Sequence, residues 1–284
     1  MGCLNSTKSF KHWFANIHFS GRCNRNCYFC IGQFMQALEP FNNLSKEHLD
    51  GFEEFLDKCK SRSITEVALT GSNTDPLLYK FIPQLKDKLQ KSLDLQMFRV
   101  TTNGVRVLNN LDTWKLFDFA SITFCSFDKQ VNQEMMGGEP VNIQKIIEHT
   151  PFDFRINVLL STKNVCNNDL MLTIDKLIAA GTKKINLREP YGQPNMRQAL
   201  ITFLQQNSLK FSHKIFGNDA LIYKGCEICY WDVHFTEVES VNLYANGRVS
   251  DDYPITRGHD AETGTVVSQD NWEFEGRKHQ QWLY

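Results

Sequence analysis

Apolar and polar positions alternate along this chain in a regular succession of strand-like and helix-like segments. Trp13–Ser20 (WFANIHFS) reads as a first strand, followed by a loop rich in glycine and cysteine. A helix is predicted from Ser45, as its N-cap, through Arg62, with Leu49, Phe52, Leu56 and Cys59 near helical spacing. Ile64–Thr70 (ITEVALT) is a second strand, then a loop with Gly71 and Pro76, then a leucine-faced helix to about Lys91. Leu95–Thr101 is a third strand, stopped by Asn103-Gly104. Ala120–Ser126, Phe154–Leu160 and Lys184–Leu187 supply three more, with helices predicted at 141–149 and 167–180, the latter closed by Gly181.

Six strand–helix units between residues 13 and 206 average roughly 32 residues each, the size of a parallel crossover unit. After 206 the pattern changes. Val238–Tyr244, Asn246-Gly247 and Arg248–Tyr253 read as a hairpin. The predicted fold class is α/β, a partial (β/α)6 parallel barrel with a small C-terminal extension containing a β-hairpin. The predicted divisions are a tail at 1–12, the barrel at 13–206, and an extension at 207–284 that closes the barrel. In parallel barrels the chemistry lies beyond the C-terminal strand ends, so the residues just after each strand carry the functional reading.

Composition excludes several classes. With 42% hydrophobic and 22% charged residues the chain is neither disordered nor collagen-like. The 31 basic and 32 acidic residues nearly cancel, which gives no strong nucleic-acid signal. The chain has no secretory signal and its nine cysteines are odd in number, which argues against a disulfide scaffold and for the cytoplasm. Met1-Gly2-Cys3-Leu4-Asn5-Ser6 matches the myristoylation pattern, with Cys3 available for a second acyl chain. A membrane anchor follows only if that short match is more than coincidence.

Three cysteines fall in the loop after the first strand, Gly21-Arg22-Cys23-Asn24-Arg25-Asn26-Cys27-Tyr28-Phe29-Cys30. Three thiols on one loop can converge on an iron–sulfur cubane and leave one iron open for a ligand. Zinc, with His18 as fourth ligand, and plain packing are the competing readings. Cys-x3-Cys-x2-Cys with aromatic Phe29 before the last cysteine resembles the signature of the radical S-adenosylmethionine (SAM) enzymes. IHFSGRCNRNCYFC looks most like the branch holding the molybdenum-cofactor cyclisation enzyme and the peptide maturases.

That resemblance implies a [4Fe-4S] cluster on Cys23, Cys27 and Cys30, whose open iron chelates SAM. It implies oxygen sensitivity, and reductive cleavage to a 5′-deoxyadenosyl radical that removes hydrogen from a small-molecule or nucleotide substrate. A ribosomal peptide is the alternative substrate, and a non-enzymatic zinc or electron-transfer module the alternative class. A flavodoxin or ferredoxin is implied as electron donor.

The other strand ends offer candidates for the cofactor. The family's Gly-Gly-Glu-Pro-like stretch is replaced here by Thr70-Gly71-Ser72-Asn73-Thr74-Asp75-Pro76, which lacks the second glycine and has Asp75 as nearest carboxylate. Gly71, Asn73, Thr74 and Asp75 are nevertheless candidates, since an ammonium needs two or three oxygen acceptors. Thr102 and Asn103 follow the third strand in a stretch that resembles cofactor-facing ones in the family. Ser126 and Asp128 suit ribose hydroxyls, although Asp128 is equally good as a helix N-cap. Arg155 and Asn157 alternate with apolar residues on the fifth strand and can enter the cavity together. Arg188 ends the sixth strand and suits a carboxylate or a structural salt bridge. Cys226 and Cys229, in a C-terminal Cys-x2-Cys, read as packed thiols, a redox pair or a hydrogen donor, or part of a second cluster with Cys125 or Cys166.

Overall fold

The computed structural model describes residues 12–34, 41–165, 169–189, 196–231 and 238–251. The N-terminal acylation motif, Cys166, Pro190, Asp232, His234 and the end of the predicted hairpin lie outside them. The expected units appear in order. They are β1 (His12–Phe19), α1 (Phe52–Ser61), β2 (Glu66–Gly71), α2 (Ile82–Ser92), β3 (Met97–Thr102), a short α3 (Leu111–Trp114) and β4 (Phe119–Phe124). Then follow α4 (Lys129–Met136), α5 (Ile143–Glu148), β5 (Asp153–Leu159), a short α6 (Thr162–Val165), α7 (Asp169–Ala179), β6 (Lys184–Arg188) and α8 (Met196–Gln206).

The first helix starts later than Ser45. Its N-cap is Gly51, in the left-handed region at φ 74°. A side chain there would meet the Gly247 carbonyl oxygen at 2.0 Å, so the close approach of the C-terminal turn fixes where the helix begins.

After α8 come β7 (His213–Ile215), β8 (Asn218–Tyr223), β9 (Cys226–Trp231), β10 (Val238–Leu243) and β11 (Val249–Ser250). All eleven join one sheet, ordered β11-β10-β1-β2-β3-β4-β5-β6-β9-β8-β7. Strand β9 pairs parallel with β6, and β10 pairs parallel with β1, so the C-terminal section lengthens both edges of the six-stranded sheet. The predicted hairpin is present as the antiparallel β10–β11 pair, but it sits on β1 as part of the main sheet. The sheet is not closed, as its linear order shows.

One face is apolar. Ala15, Ile17 and Phe19 of β1 share it with Val67, Leu69, Phe98, Val100, Ile122, Ile156, Val158, Ile185 and Leu187. It packs against helix residues such as Phe55, Leu89, Ile146, Ile174 and Phe203. The other face, reached by the alternate residues, is polar. It carries Asn16, His18, Thr70, Arg99, Thr101, Ser121, Thr123, Arg155, Asn157, Asn186 and Arg188 in paired register. A closed barrel fills its interior with branched apolar layers. This open one lines it with hydrogen-bonding groups instead. Among the described residues no helix is long and apolar enough to cross a membrane.

Candidate active site

The loops after β1, β2 and β3 are bonded into one unit. Ser20 donates its N–H to Asn43 Oδ1 at 3.0 Å, and Asn43 Nδ2 donates to the His18 carbonyl at 3.2 Å. The Gly21 N–H donates to Asn73 Oδ1 at 3.0 Å, and Thr74 Oγ1 donates to the Arg22 carbonyl at 3.3 Å. Gly71 is required where it stands, because a Cβ would lie 1.6 Å from the Thr74 carbonyl oxygen. The β2 loop thus folds back on itself and presents Asn73 and Thr74 to the start of the cysteine loop.

The far end of that loop rests on α4. Tyr28 N–H donates to the Met135 carbonyl at 3.2 Å, and Arg25 Nη2 to the Glu139 carbonyl at 2.6 Å. Side chains at Gly137 and Gly138 would collide with Asn26 and Arg25, so this pair of glycines lets α4 approach the loop. Phe29 packs beside Cys125, Met135, Met136 and Leu159, edge-on to Tyr28 with ring centroids 5.5 Å apart.

Asp75 ties β2 to β3. It is 2% exposed, and its carboxylate accepts from Leu77 N–H (2.9 Å), Thr102 Oγ1 (2.8 and 3.0 Å) and Asn103 N–H (2.6 Å). Burial pushes its pKa up, while those hydrogen bonds oppose the shift. Asp75 therefore serves as a brace, with its oxygens committed to the protein. Asn103, held by Asp75, turns its side-chain amide toward Asn24 Oδ1 at 2.7 Å and Cys23 Sγ at 3.8 Å.

The three thiols are half-buried and none of them is in a disulfide among the described residues. Burial raises the pKa of Cys23, of Cys27 to about 12, and of Cys30; Cys27 also feels the charges of Cys30 and Cys23. Three thiols on one loop are a donor set that a cationic iron–sulfur cluster would take as thiolates, against the burial that holds them protonated. Among the described residues, no three His, Cys, Asp or Glu side chains are gathered tightly enough for a single metal ion. A cubane takes each thiolate on a different iron, so it does not require the three thiols to converge on a single ion. His18 faces away from such a role. Its Nε2 meets Asn242 Oδ1 at 3.3 Å, its ring stacks on Tyr244 at 4.7 Å, and burial lowers its pKa to about 4, which keeps it neutral.

Ser126 and Asp128 are engaged locally. Ser126 Oγ donates to Asp169 Oδ1 and accepts from the Asp128 N–H, both at 2.8 Å, and Asp128 caps α4 through the Val131 N–H at 2.9 Å. Asn157 and Arg188 stand on the polar face of β5 and β6. Asn157 is 1% exposed and its Oδ1 has no hydrogen-bond partner among the described residues. Cys226 and Cys229 occupy opposite faces of β9. Cys226 joins Ile228 and Tyr230 in the apolar core, whereas Cys229 pairs in register with Asn186 on the polar face. The two thiols therefore do not face one another. Sequence reasoning missed Asn43, Asp169 and Asn186; only Asn186, which alternates with Ile185 and Leu187, left a signal in the sequence.

No family model and no curated protein matches the chain. Solved structures do. Streptococcus suis SuiB bound to the precursor peptide SuiA is 15% identical, with TM-score 0.56 over 84% of this chain and 60% of its own. SuiB bound to S-adenosylmethionine gives 0.54 over the same shares, also at 15% identity. Escherichia coli coproporphyrinogen III oxidase, HemN, described as a radical SAM enzyme, gives 0.50 at 12% identity over 82% of this chain and 63% of its own. The chain thus spans about 60% of the length of these proteins. The fold is the partial parallel barrel of the radical SAM enzymes.

Proposed function

We propose that this chain, built on the radical SAM fold, is itself a radical SAM enzyme. The observation that carries the proposal is the placement of Cys23, Cys27 and Cys30. They stand on one half-buried loop at the C-terminal end of β1, bonded to the loops after β2 and β3 and opening onto a polar barrel face. These three residues would hold a [4Fe-4S] cluster, which when bound supplies the electron that cleaves SAM to methionine and a 5′-deoxyadenosyl radical.

The rest of the site binds and orients. Asn103, fixed by Asp75, sets the polarity beside Cys23. The 71–75 loop brings backbone oxygens to the same rim for the cofactor's ammonium. Thr102 helps to fix that rim through Asp75. Ser126 and Asp128 border the site after β4, Asn157 offers an unpaired acceptor to the adenosine, and Arg188 offers a guanidinium to a carboxylate. Phe29 shields the loop from behind.

The substrate is read as a small molecule or nucleotide lying against the polar face. A peptide is the second reading, and the similarity to SuiB, solved with its precursor peptide, is what favours it. A low-potential carrier of the flavodoxin or ferredoxin class would deliver the electron.

Anaerobic reconstitution tests the proposal. The wild type is expected to bind about four irons per chain and to release 5′-deoxyadenosine from SAM under dithionite. Cys23→Ala, Cys27→Ala and Cys30→Ala should each lose both properties. A protein that takes up zinc but neither iron nor sulfide, or variants that keep iron and cleavage, would defeat it.

A further inference from the structure

Asn73 touches the cysteine loop at both of its ends. At the start, the Gly21 N–H donates to Asn73 Oδ1 at 3.0 Å. At the finish, buried Gly32 lies in the 3-10 turn Ile31–Phe34. A Cβ on Gly32 would stand 2.4 Å from Asn73 Cβ, 2.5 Å from Asn73 Cα and 2.9 Å from the Ser72 carbonyl oxygen. Cys23, Cys27 and Cys30 all lie between these two glycines.

The two contacts differ in kind. Gly21 needs an acceptor on the Asn73 side chain. Gly32 is not among the glycines with positive φ, so it is required for space alone, where a methyl group would strike Asn73. Between them the chain is tied by Thr74 Oγ1 to the Arg22 carbonyl at 3.3 Å and turns through the Cys30 N–H to Cys27 carbonyl bond at 3.1 Å. The segment is thus a compact loop whose two ends meet on one residue of the β2 loop.

We propose that Asn73 is the positioning residue of the cysteine loop, a role that rests on the radical reading above. It closes the loop at both ends and so arranges the three thiols before any cluster arrives. The sequence offers Asn73 as a cofactor ligand; the structure commits its amide oxygen to the Gly21 N–H instead. Ordering a free loop around a cluster would oppose binding through backbone entropy, and a loop already closed has lost that entropy on folding.

Trypsin tests this in the iron-free, full-length protein, without SAM or substrate. The loop offers two cleavage points, after the exposed Arg22 and after Arg25, and their cutting follows local opening of the loop. Asn73→Ala removes the acceptor and should raise cleavage at both points by about five- to tenfold. Asn73→Asp keeps an oxygen for the Gly21 N–H and should stay within about twofold of wild type. Gly32→Ala pushes the finish of the loop off Asn73 and should act like Asn73→Ala. Leu177→Ala, in the core under α7, should lower the urea midpoint yet leave loop cleavage unchanged, which separates loop closure from general stability. After anaerobic reconstitution, iron per chain should fall in Asn73→Ala and be restored in Asn73→Asp. Wild-type cleavage rates in Asn73→Ala, or no rescue by aspartate, would overturn the assignment. No iron in the wild type would instead be a failure of the radical reading itself, and the protease rates would still decide on Asn73.

Discussion

Asp75 is the residue on which the geometry beside the cysteine loop depends, and its replacement can be reasoned bond by bond. One carboxylate oxygen takes the Leu77 N–H, the other takes the Asn103 N–H, and the Thr102 hydroxyl lies within reach of both. Asparagine has the same shape but a single oxygen, so one of the two backbone donors is left facing an NH2 group. A buried donor without an acceptor costs roughly 1–3 kcal/mol, so Asp75→Asn should lower stability by about 2 kcal/mol. Alanine removes both acceptors and releases the hydroxyl as well, so Asp75→Ala should cost about 4 kcal/mol on the same scale. Urea denaturation of the iron-free protein at neutral pH reads both values. Because Asn103 is held beside Cys23 by this carboxylate, iron retention after reconstitution should fall in the same order. An alanine variant within about 1 kcal/mol of wild type would show that water or backbone motion replaces these bonds, and that Asp75 braces nothing.

Two further outcomes follow from neighbouring features. Gly71→Ala forces a methyl group onto the Thr74 carbonyl, so the β2 loop must open; a loss of about 3 kcal/mol is expected, together with weaker iron binding. Unchanged urea midpoints would refute the tight turn. Burial lowers the His18 pKa to about 4 in the folded protein from the ordinary 6.5, so the unfolded chain binds more protons between those values. Stability from this group is full above pH 6.5 and is lost as pH falls toward 4, by about 2 kcal/mol at pH 5. His18→Gln should flatten that part of the pH profile in the iron-free protein, and an unaltered slope would assign the loss to other groups.

The six parallel units were legible because each strand that feeds the core alternates cleanly, as Ala15, Ile17 and Phe19 do on β1. What the pattern concealed lies at its ends. Strands β7 to β9 turn at Phe216-Gly217 and at Lys224-Gly225, where both residues of each pair have positive φ. Such turns favour Asn-Gly or Asp-Gly, so a phenylalanine or a lysine before the glycine gives a weak signal. Only the pairing that the turns permit reveals them. The late start of α1 has the same origin. Ser45 is a plausible cap by type, but Gly51 sits against Gly247, nearly two hundred positions away, and no local signal encodes that contact.

The candidate site divides along the same line. Cys23, Cys27 and Cys30 are legible because they stand close together in sequence, as the proposed cluster would require. Asn73, Thr74, Asp75, Thr102 and Asn103 are legible as a set, since all follow strands, but their division of labour is not. Side chains that looked free to meet a cofactor, Asp75 above all, are consumed in holding the three loops together. Among the described residues several buried acceptors stay unpaired, Ser72 Oγ in the β2 loop and Asn157 Oδ1 deep on β5 among them. Strand ends are where polar residues are needed twice, once to close the backbone and once to bind, and hydrogen-bond accounting separates the two uses. Applied to β9, the same reasoning separates Cys226 from Cys229. A spacing of three places two metal ligands on one side of a loop but sends two strand residues to opposite faces. The local structure therefore decides what an identical Cys-x2-Cys spacing can do at 27–30 and at 226–229.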